Sequence, residues 1–362
     1  MNKNYILLAI ILLFSRFSSV AQTESNWHVV LDNYFSDLLF QPGTGMITGA
    51  DGAISIPLSK DSTIFLWGDS FCGDVDNNTR PKSSPFISGN VFSLVTPEGS
   101  RTITGGSPQQ PRPLLATDDK NGYRAVLWPE HGISKNGTLH AFFAVTAFFG
   151  TATFDFFWHS VDYYRLSTKD FSVIGKRNFN WNDLAGIHFG FGCIEEGDYV
   201  YVYGTRMADN KSHLYLCRMK MEDDVLGDPE FWSYNNWTNN PILATRLKGD
   251  IVSISEQFSV FKYKDKYVLL CQERMGKDIY TYVADHPWGP WENKKIIYST
   301  PEAGFREGWF TYNAMAHPQY IKDGKLLVSY CVNSLDLTQL YSDVTSYRPR
   351  FLWVDIDYIL NK

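Results

Sequence analysis

The stretch from Gly49 to Phe71 reads GADGAISIPLSKDSTIFLWGDSF: two short apolar runs joined by the polar turn SKDS, with Asp51 before the first run and Asp69 after the second. Runs of this length, rich in Ile, Phe and Leu and bounded by Gly, Asp and Ser, read as two antiparallel strands of a hairpin. The same pattern recurs as GISKNGTLHAFFAV, GCIEEGDYVYVYG, QFSVFKYKDKYVLLCQE and PQYIKDGKLLVSYCVN. The five turns centre on Asp61, Asn136, Gly197, Asp265 and Asp323, at intervals of 75, 61, 68 and 58 residues. A repeat of that length built only from strands predicts an all-β, five-bladed β-propeller of four-stranded antiparallel blades. The structural competitor is a two-sheet sandwich with a second domain.

Further strand-like runs fill the blades, among them NVFSLVT, VDYYRLST, HLYLCRMKM, IYTYVAD and RFLWVDI. Convincing helical periodicity is absent. The run WHVVL near the N-terminus is expected to complete the last blade beside the C-terminal strand and so close the ring. No linker or low-complexity segment interrupts the chain, and residues 22–362 read as one domain.

Residues 1–21 carry Lys3 in a polar head, an apolar run from Tyr5 to Phe14, and small residues at Ser19 and Ala21. This is the pattern of a signal peptide cleaved near Ala21. The apolar run is far short of the roughly 20 residues that span a bilayer, so no membrane insertion is expected. The mature chain is expected to be secreted, periplasmic or at the cell surface, and monomeric. It carries 31 basic and 39 acidic residues, a formal charge of −8. That balance argues against a nucleic-acid partner.

Five cysteines, Cys72, Cys193, Cys217, Cys271 and Cys331, lie far apart without a CxxC or Cys/His cluster. Their odd number leaves at least one unpaired within the chain, and buried free thiols are the expected state. The acidic stretch EDDVLGDPE, residues 222–230, reads as a solvated loop. No phosphate loop, HExxH or GxSxG motif occurs. No cofactor and no metal site is expected, although a structural ion in the central channel is compatible with the sequence.

In a hairpin centred near residue 60, Asp51 falls opposite Asp69, where facing Cβ atoms lie about 4.5 to 5.5 Å apart. In a propeller the first strand of each blade lines the channel, which places this pair at one mouth. Glu130 and His131, His188, Glu256 and His317 precede or begin the inner strands of the other blades, so acids and histidines converge on one end. Trp128, Trp158, Trp309, Phe189 and Tyr312 flank the same segments and are candidates to stack on the C–H faces of sugars. Asn333 closes the last inner hairpin and is within reach of a hydroxyl or forms a turn.

These residues carry a resemblance. GADG with LWGDSF, then EQFSVFKYKDKYVLL, DHPWGPW and YNAMAHPQYIKDGKLLVSYCVN, resemble secreted five-bladed propellers long described as a domain of unknown function. Some of those are classed as endo-D-arabinanases of glycoside hydrolase family 183. The resemblance spans the mature chain. It implies a glycoside hydrolase acting on furanosidic linkages of a microbial arabinan, with Asp51 and Asp69 as its catalytic pair. The motif here ends WGDSF, where a threonine often follows the aspartate in that family.

Hydrolysis of a glycoside needs one carboxylic acid and one carboxylate. The resemblance favours inversion, with Asp51 as base and Asp69 as acid or the reverse. Glu256 is a supporting acid, a hydroxyl acceptor, or the general acid if the chain works like the wider arabinanase propellers. His317, His131, His188 and Asn333 are expected to bind hydroxyls of a polysaccharide or oligosaccharide substrate. The alternative is a non-catalytic glycan-binding propeller, a lectin or surface module.

Overall fold

A computed structural model describes residues 28–152, 154–180 and 182–361. The leader at residues 1–21 lies outside them. Among the described residues, five sheets of four or five strands follow one another along the chain as blades, beside a three-stranded and a two-stranded sheet. Blade 1 comprises Ile54–Pro57, Thr63–Trp67, Val91–Thr96 and Gly99–Ile103. Blade 2 comprises Arg124–Lys135, Thr138–Phe148, Phe156–Ser167 and Val173–Asn180. Blade 3 comprises His188–Glu196, Tyr199–Ala208, Lys211–Glu222 and Val225–Ser233, with a fifth strand Asn236–Thr238. Blade 4 comprises Ser259–Tyr263, Lys266–Gln272, Asp278–Ala284 and Glu292–Ser299. Blade 5 takes Trp309–Lys322, Lys325–Ser334 and Arg350–Asp355, and its outer strand is Val29–Asp32 from the start of the chain.

The inner strands touch in the order of the blades, and that of blade 5 returns to that of blade 1. The ring is therefore closed by the pairing of Val29–Asp32 with Phe351–Val354, as WHVVL suggests. Two expectations need correction. Blade 3 has five strands rather than four. Within residues 222–230 only Asp223 and Asp224 form a turn, and Val225–Ser233 is a strand. Asp224 is drawn onto blade 2, where its carboxylate accepts from Thr138 Oγ1 at 2.5 Å and pairs with His140 Nε2 at 3.2 Å.

Alternation along the second strand of each blade explains the ring. Successive side chains point to opposite faces of a sheet, so each blade offers apolar residues to both neighbours. In blade 2 Phe143 packs toward blade 1 with Leu66 and Phe92, while Phe142 packs toward blade 3 with Val202 and Tyr215. In blade 4 Leu269 joins Tyr203 and Leu216 of blade 3, and Leu270 joins Leu326 and Val328 of blade 5. Phe65 and Trp67 of blade 1 meet Leu327 and Phe351 of blade 5. Every pair of adjacent blades thus shares an apolar core, and each fully buried Leu or Phe contributes about 1.5 to 3 kcal/mol.

Tight turns hold the inner hairpins. Asn136–Gly137 and Asp323–Gly324 both have positive φ at the two central positions, the backbone of a type I′ turn. All five cysteines are buried and free. Among the described residues no helix is long and apolar enough to cross a membrane.

Candidate active site

The first hairpin continues beyond blade 1. Gly43–Ala50 pairs with Ser70–Gly73, and the register Ala50↔Ser70 runs on into Ile54↔Leu66. Asp51 and Asp69 lie opposite one another in the bends between these two paired segments, where Gly68 N–H donates to the Asp51 carbonyl at 2.9 Å. Gly68 has to be glycine, because a Cβ there would collide with Asp51 Oδ1. Both carboxyls are half-buried and close enough for the charge of Asp69 to act on Asp51.

Their surroundings differ. Tyr312 donates its hydroxyl to Asp51 Oδ2 at 2.8 Å, and Asn333 Nδ2 donates to the same hydroxyl at 3.1 Å. The Tyr347 hydroxyl donates to the Asp69 backbone carbonyl at 3.0 Å and also contacts the Asp51 carboxyl. Burial first, and the neighbouring Asp69 charge second, push the Asp51 pKa up to about 7. Asp69 Oδ1 accepts from the Gly89 N–H at 2.8 Å and from Trp128 Nε1 at 2.9 Å. Burial raises its pKa too, but Trp128, Gly89, Ser88 and the Arg124 charge all favour its ionised form.

A second group of ionisable side chains sits alongside. His188 Nε2 and Glu130 Oε1 form a buried hydrogen bond across blades 2 and 3. Gly190, at φ +129°, passes so close to Glu130 Oε2 that any Cβ would clash. Glu130 occupies a β-bulge between Pro129 and Gly132, a device that re-aims a side chain next to functional sites. Burial raises the Glu130 pKa against the pull of His188. Glu256 is exposed, in the segment before the inner strand of blade 4. The protein around its carboxyl raises its pKa, opposed by His188, a hydrogen bond from Trp158 and the charge of Arg274. Trp158 packs edge-on against both Trp128, with ring centres 5.7 Å apart, and His188, 5.0 Å apart. The aspartate pair and Glu256 are thus linked by a continuous aromatic wall.

Other candidates lie elsewhere. His317 is fully buried, its Nδ1 bonded to Ser55 Oγ at 2.7 Å and its Nε2 to Ser329 Oγ at 2.9 Å. Burial and the nearby His131 depress its pKa to about 3. His131 bonds the Gly132 carbonyl and lines a cavity of about 290 Å³ with Ser134, Lys262 and Gln319 near the inner turns. Burial lowers its pKa to about 4. Both histidines stand three to four residues nearer their turns than Asp51, His188 and Glu256 do. At about 3.3 Å per residue they are about 10 Å deeper in the channel, not at the mouth.

Trp309 is also not an open platform. It is buried, donates to Gln339 Oε1 and packs against Phe305. Phe189 is a core residue against Phe231. Asn333 is in a strand rather than a turn, and it reaches Asp51 only through Tyr312.

Tyr347, Arg80 and Arg124 were not legible in the sequence. Tyr347 ends the 3₁₀ turn Val344–Tyr347 in a stretch without periodicity. Arg80 is buried and pins that segment, with its guanidinium bonded to the Thr48, Leu340 and Val344 carbonyls. Among the described residues no group of three or more His, Cys, Asp or Glu side chains could hold a metal ion.

The fold and mouth define a propeller whose channel entrance carries a coupled carboxyl pair. The chain belongs to the family described as "Domain of unknown function (DUF5005)", whose match spans residues 32–356. The fold is similar to that of a Bacteroides ovatus protein provisionally described as a hydrolase, at 16% identity with a TM-score of 0.76, covering 92% of each chain. It is also similar to RS223-β-xylosidase, at 12% identity with a TM-score of 0.51, covering 87% of this chain and 94% of that one. The GH43_1 enzyme of Xanthomonas citri, at 9% identity, has a TM-score of 0.50 and is covered over 88% of this chain and 91% of its own. At these identities the likeness establishes the propeller fold. No curated protein matches.

Proposed function

We propose that the protein is a glycoside hydrolase, exported from the cytoplasm, that cleaves furanosidic linkages of a microbial arabinan in the manner of an endo-D-arabinanase. One observation carries this reading: Asp51 and Asp69 face one another where the first inner strand begins, Asp51 with its pKa pushed up to about 7 and Asp69 among donors that favour its ionised form. Pairs of carboxyls tuned in this way divide into acid and base. The occurrence of the fold in a β-xylosidase and in an enzyme solved with xylotriose supports a sugar substrate. The motifs shared with the endo-D-arabinanases support the furanosidic linkage.

Of the two assignments that the sequence leaves open, the raised pKa of Asp51 favours it as the acid, and the donors on Asp69 favour it as the base. Asp51 gives its proton to the glycosidic oxygen as the C–O bond breaks. Water attacks the anomeric carbon and loses its proton to Asp69, held by Trp128 and Gly89. Afterwards Asp51 is ionised and Asp69 protonated, and exchange with solvent restores the pair. Configuration inverts.

Product analysis on D-arabinan and L-arabinan tests the reading, with NMR of the first product for its anomeric configuration. Asp51→Asn and Asp69→Asn are each expected to lower kcat by several orders of magnitude with folding intact. Full activity in Asp51→Asn would move the acid to Glu256, and full activity in Asp69→Asn would remove Asp69 as the base. Binding without new reducing ends across arabinans, fructans, xylans and galactans would make the protein a lectin.

A further inference from the structure

Blade 3 differs from the other blades by its fifth strand, and the segment leaving that strand pairs in parallel with blade 4 through Gly249 and Trp291. This extra material walls one side of an open cavity of about 1240 Å³ between the two blades. None of its lining residues belongs to the aspartate pair or its partners. Arg274, whose charge acts on Glu256, donates its guanidinium to the Asn210 carbonyl at 3.1 Å, next to Asp209 and Lys211 of the lining.

One wall is aromatic. Trp288 stacks on Trp232 with ring centres 4.9 Å apart and 16° between planes, and His286 stacks on Trp288 at 5.1 Å and 15°. Tyr234 stands at the rim, 74% exposed and at φ +56°, a conformation disfavoured for a bulky side chain and held here by a hairpin that no other blade has.

Part of the polar lining is left without an ion-pair or hydrogen-bond partner. No carboxylate lies within ion-pair reach of Lys211, Arg246 or Lys248 among the described residues. His213 bonds the Ala208 backbone through one ring nitrogen, while its Nε2 is buried without a hydrogen-bond partner. With Nδ1–H given to Ala208, a neutral ring offers Nε2 as an acceptor for a hydroxyl. A buried polar atom left in that state is unfavourable, and a ligand hydroxyl would satisfy it.

We propose that this cavity is a second saccharide site that takes an oligosaccharide bearing a uronate residue. The sugar ring packs on the open face of His286, which Trp288 supports from behind, its carboxylate meets Arg246 with Lys211 and Lys248, and a hydroxyl donates to His213 Nε2. Arg246 offers the fork geometry that a carboxylate matches. Asp209 and Asp250 share the lining, so three cations are offset by two carboxylates and the site suits a ligand with one negative charge and several hydroxyls rather than a polyphosphate.

The test is calorimetry on the full chain carrying Asp51→Asn, so that binding is read without turnover and independently of the proposed hydrolysis. Trigalacturonate and triglucuronate are titrated beside neutral maltotriose and inorganic tripolyphosphate. Saturable binding of a uronate trimer is expected, weakened about tenfold or more by Arg246→Ala. Trp288→Ala should weaken it too; since this change touches the interblade core, the exposed Arg246→Ala and Lys248→Ala variants, with melting unchanged, carry the decision. Binding of neither uronate at millimolar concentration, equal affinity in Arg246→Ala, equal affinity for maltotriose, or binding of tripolyphosphate alone would overturn the proposal.

Discussion

At Asp51 a carboxyl is kept protonated by its place in the fold, and this has a consequence for stability as well as chemistry. Its pKa is raised from 3.8 to about 7 by burial and by Asp69. Between those values the folded chain holds a proton that the unfolded chain has released. The contribution of Asp51 to stability is therefore largest below about pH 4, falls as pH rises to about 7, and is flat above. Asp51→Asn removes this dependence, so the variant should gain in Tm over the wild type at pH 8 and not at pH 4. A gain at pH 4 equal to that at pH 8 would show that the carboxyl is not the titrating group. If Asp51 is the acid, activity also falls as pH rises through about 7.

The aspartates were visible in the sequence because both belong to one hairpin, whose register follows from turn position alone. Tyr312 and Trp128 were legible only as neighbours of the mouth. Their bonds to Asp51 and Asp69 depend on contacts between blades, about 260 and 60 residues apart in the chain. His317 and His131 misled for a related reason: residue type and proximity to an inner strand were readable, but depth in the channel depends on where each strand begins.

At the scale of elements, the segment Gln339–Tyr347 carries Tyr347 onto both aspartates, and Arg80 is a buried side chain among those that hold it. Arg80 is buried, sits 4.8 Å from the centre of the Phe71 ring, and directs its guanidinium at three backbone carbonyls. Burial pushes its pKa down to about 10, which leaves it charged at neutral pH. Lysine cannot reproduce a planar fork of donors. Arg80→Lys should therefore leave carbonyls unpartnered and cost about 1 to 3 kcal/mol. It should also lower kcat, as Tyr347→Phe does, through the loss of a hydroxyl beside Asp51. An Arg80→Lys protein with reduced Tm and normal kcat would separate the strap from the chemistry. None of this was readable in advance, because the strap has no strand periodicity and Arg80 follows a turn-rich stretch. The hairpins on either side of it were readable, since Asp323–Gly324 and the alternating run after it have the local signature of two paired strands.

The whole molecule is a ring closed by the outer strand of blade 5, four residues that come from the far end of the chain. His28 Nε2 ties this strand to blade 4 through the Ile297 carbonyl at 2.9 Å. Removing residues 1–32 should expose the edge of Arg350–Asp355 and lower Tm by several degrees, with association through the unpaired edge. A truncated chain that melts like the parent and elutes as a monomer would show that the closure is dispensable. The blade count was legible because each blade repeats one hairpin. The fifth strand of blade 3, and the cavity behind it, fall outside the repeat and carried no periodic signal.

The five thiols acquire a use when considered with the ring. Cys72 lies in the sheet beside blade 1, Cys193 and Cys217 in blade 3, Cys271 in blade 4 and Cys331 in blade 5. All are shut away, and burial raises the pKa of each, so an alkylating reagent reaches them only when the surrounding strands part. The chain thus carries its own clocks, one or more in four sectors of the circle and none in blade 2. The order in which peptides bearing these sulfurs become modified under mild denaturant records whether the circle springs open at one seam or dissolves all at once.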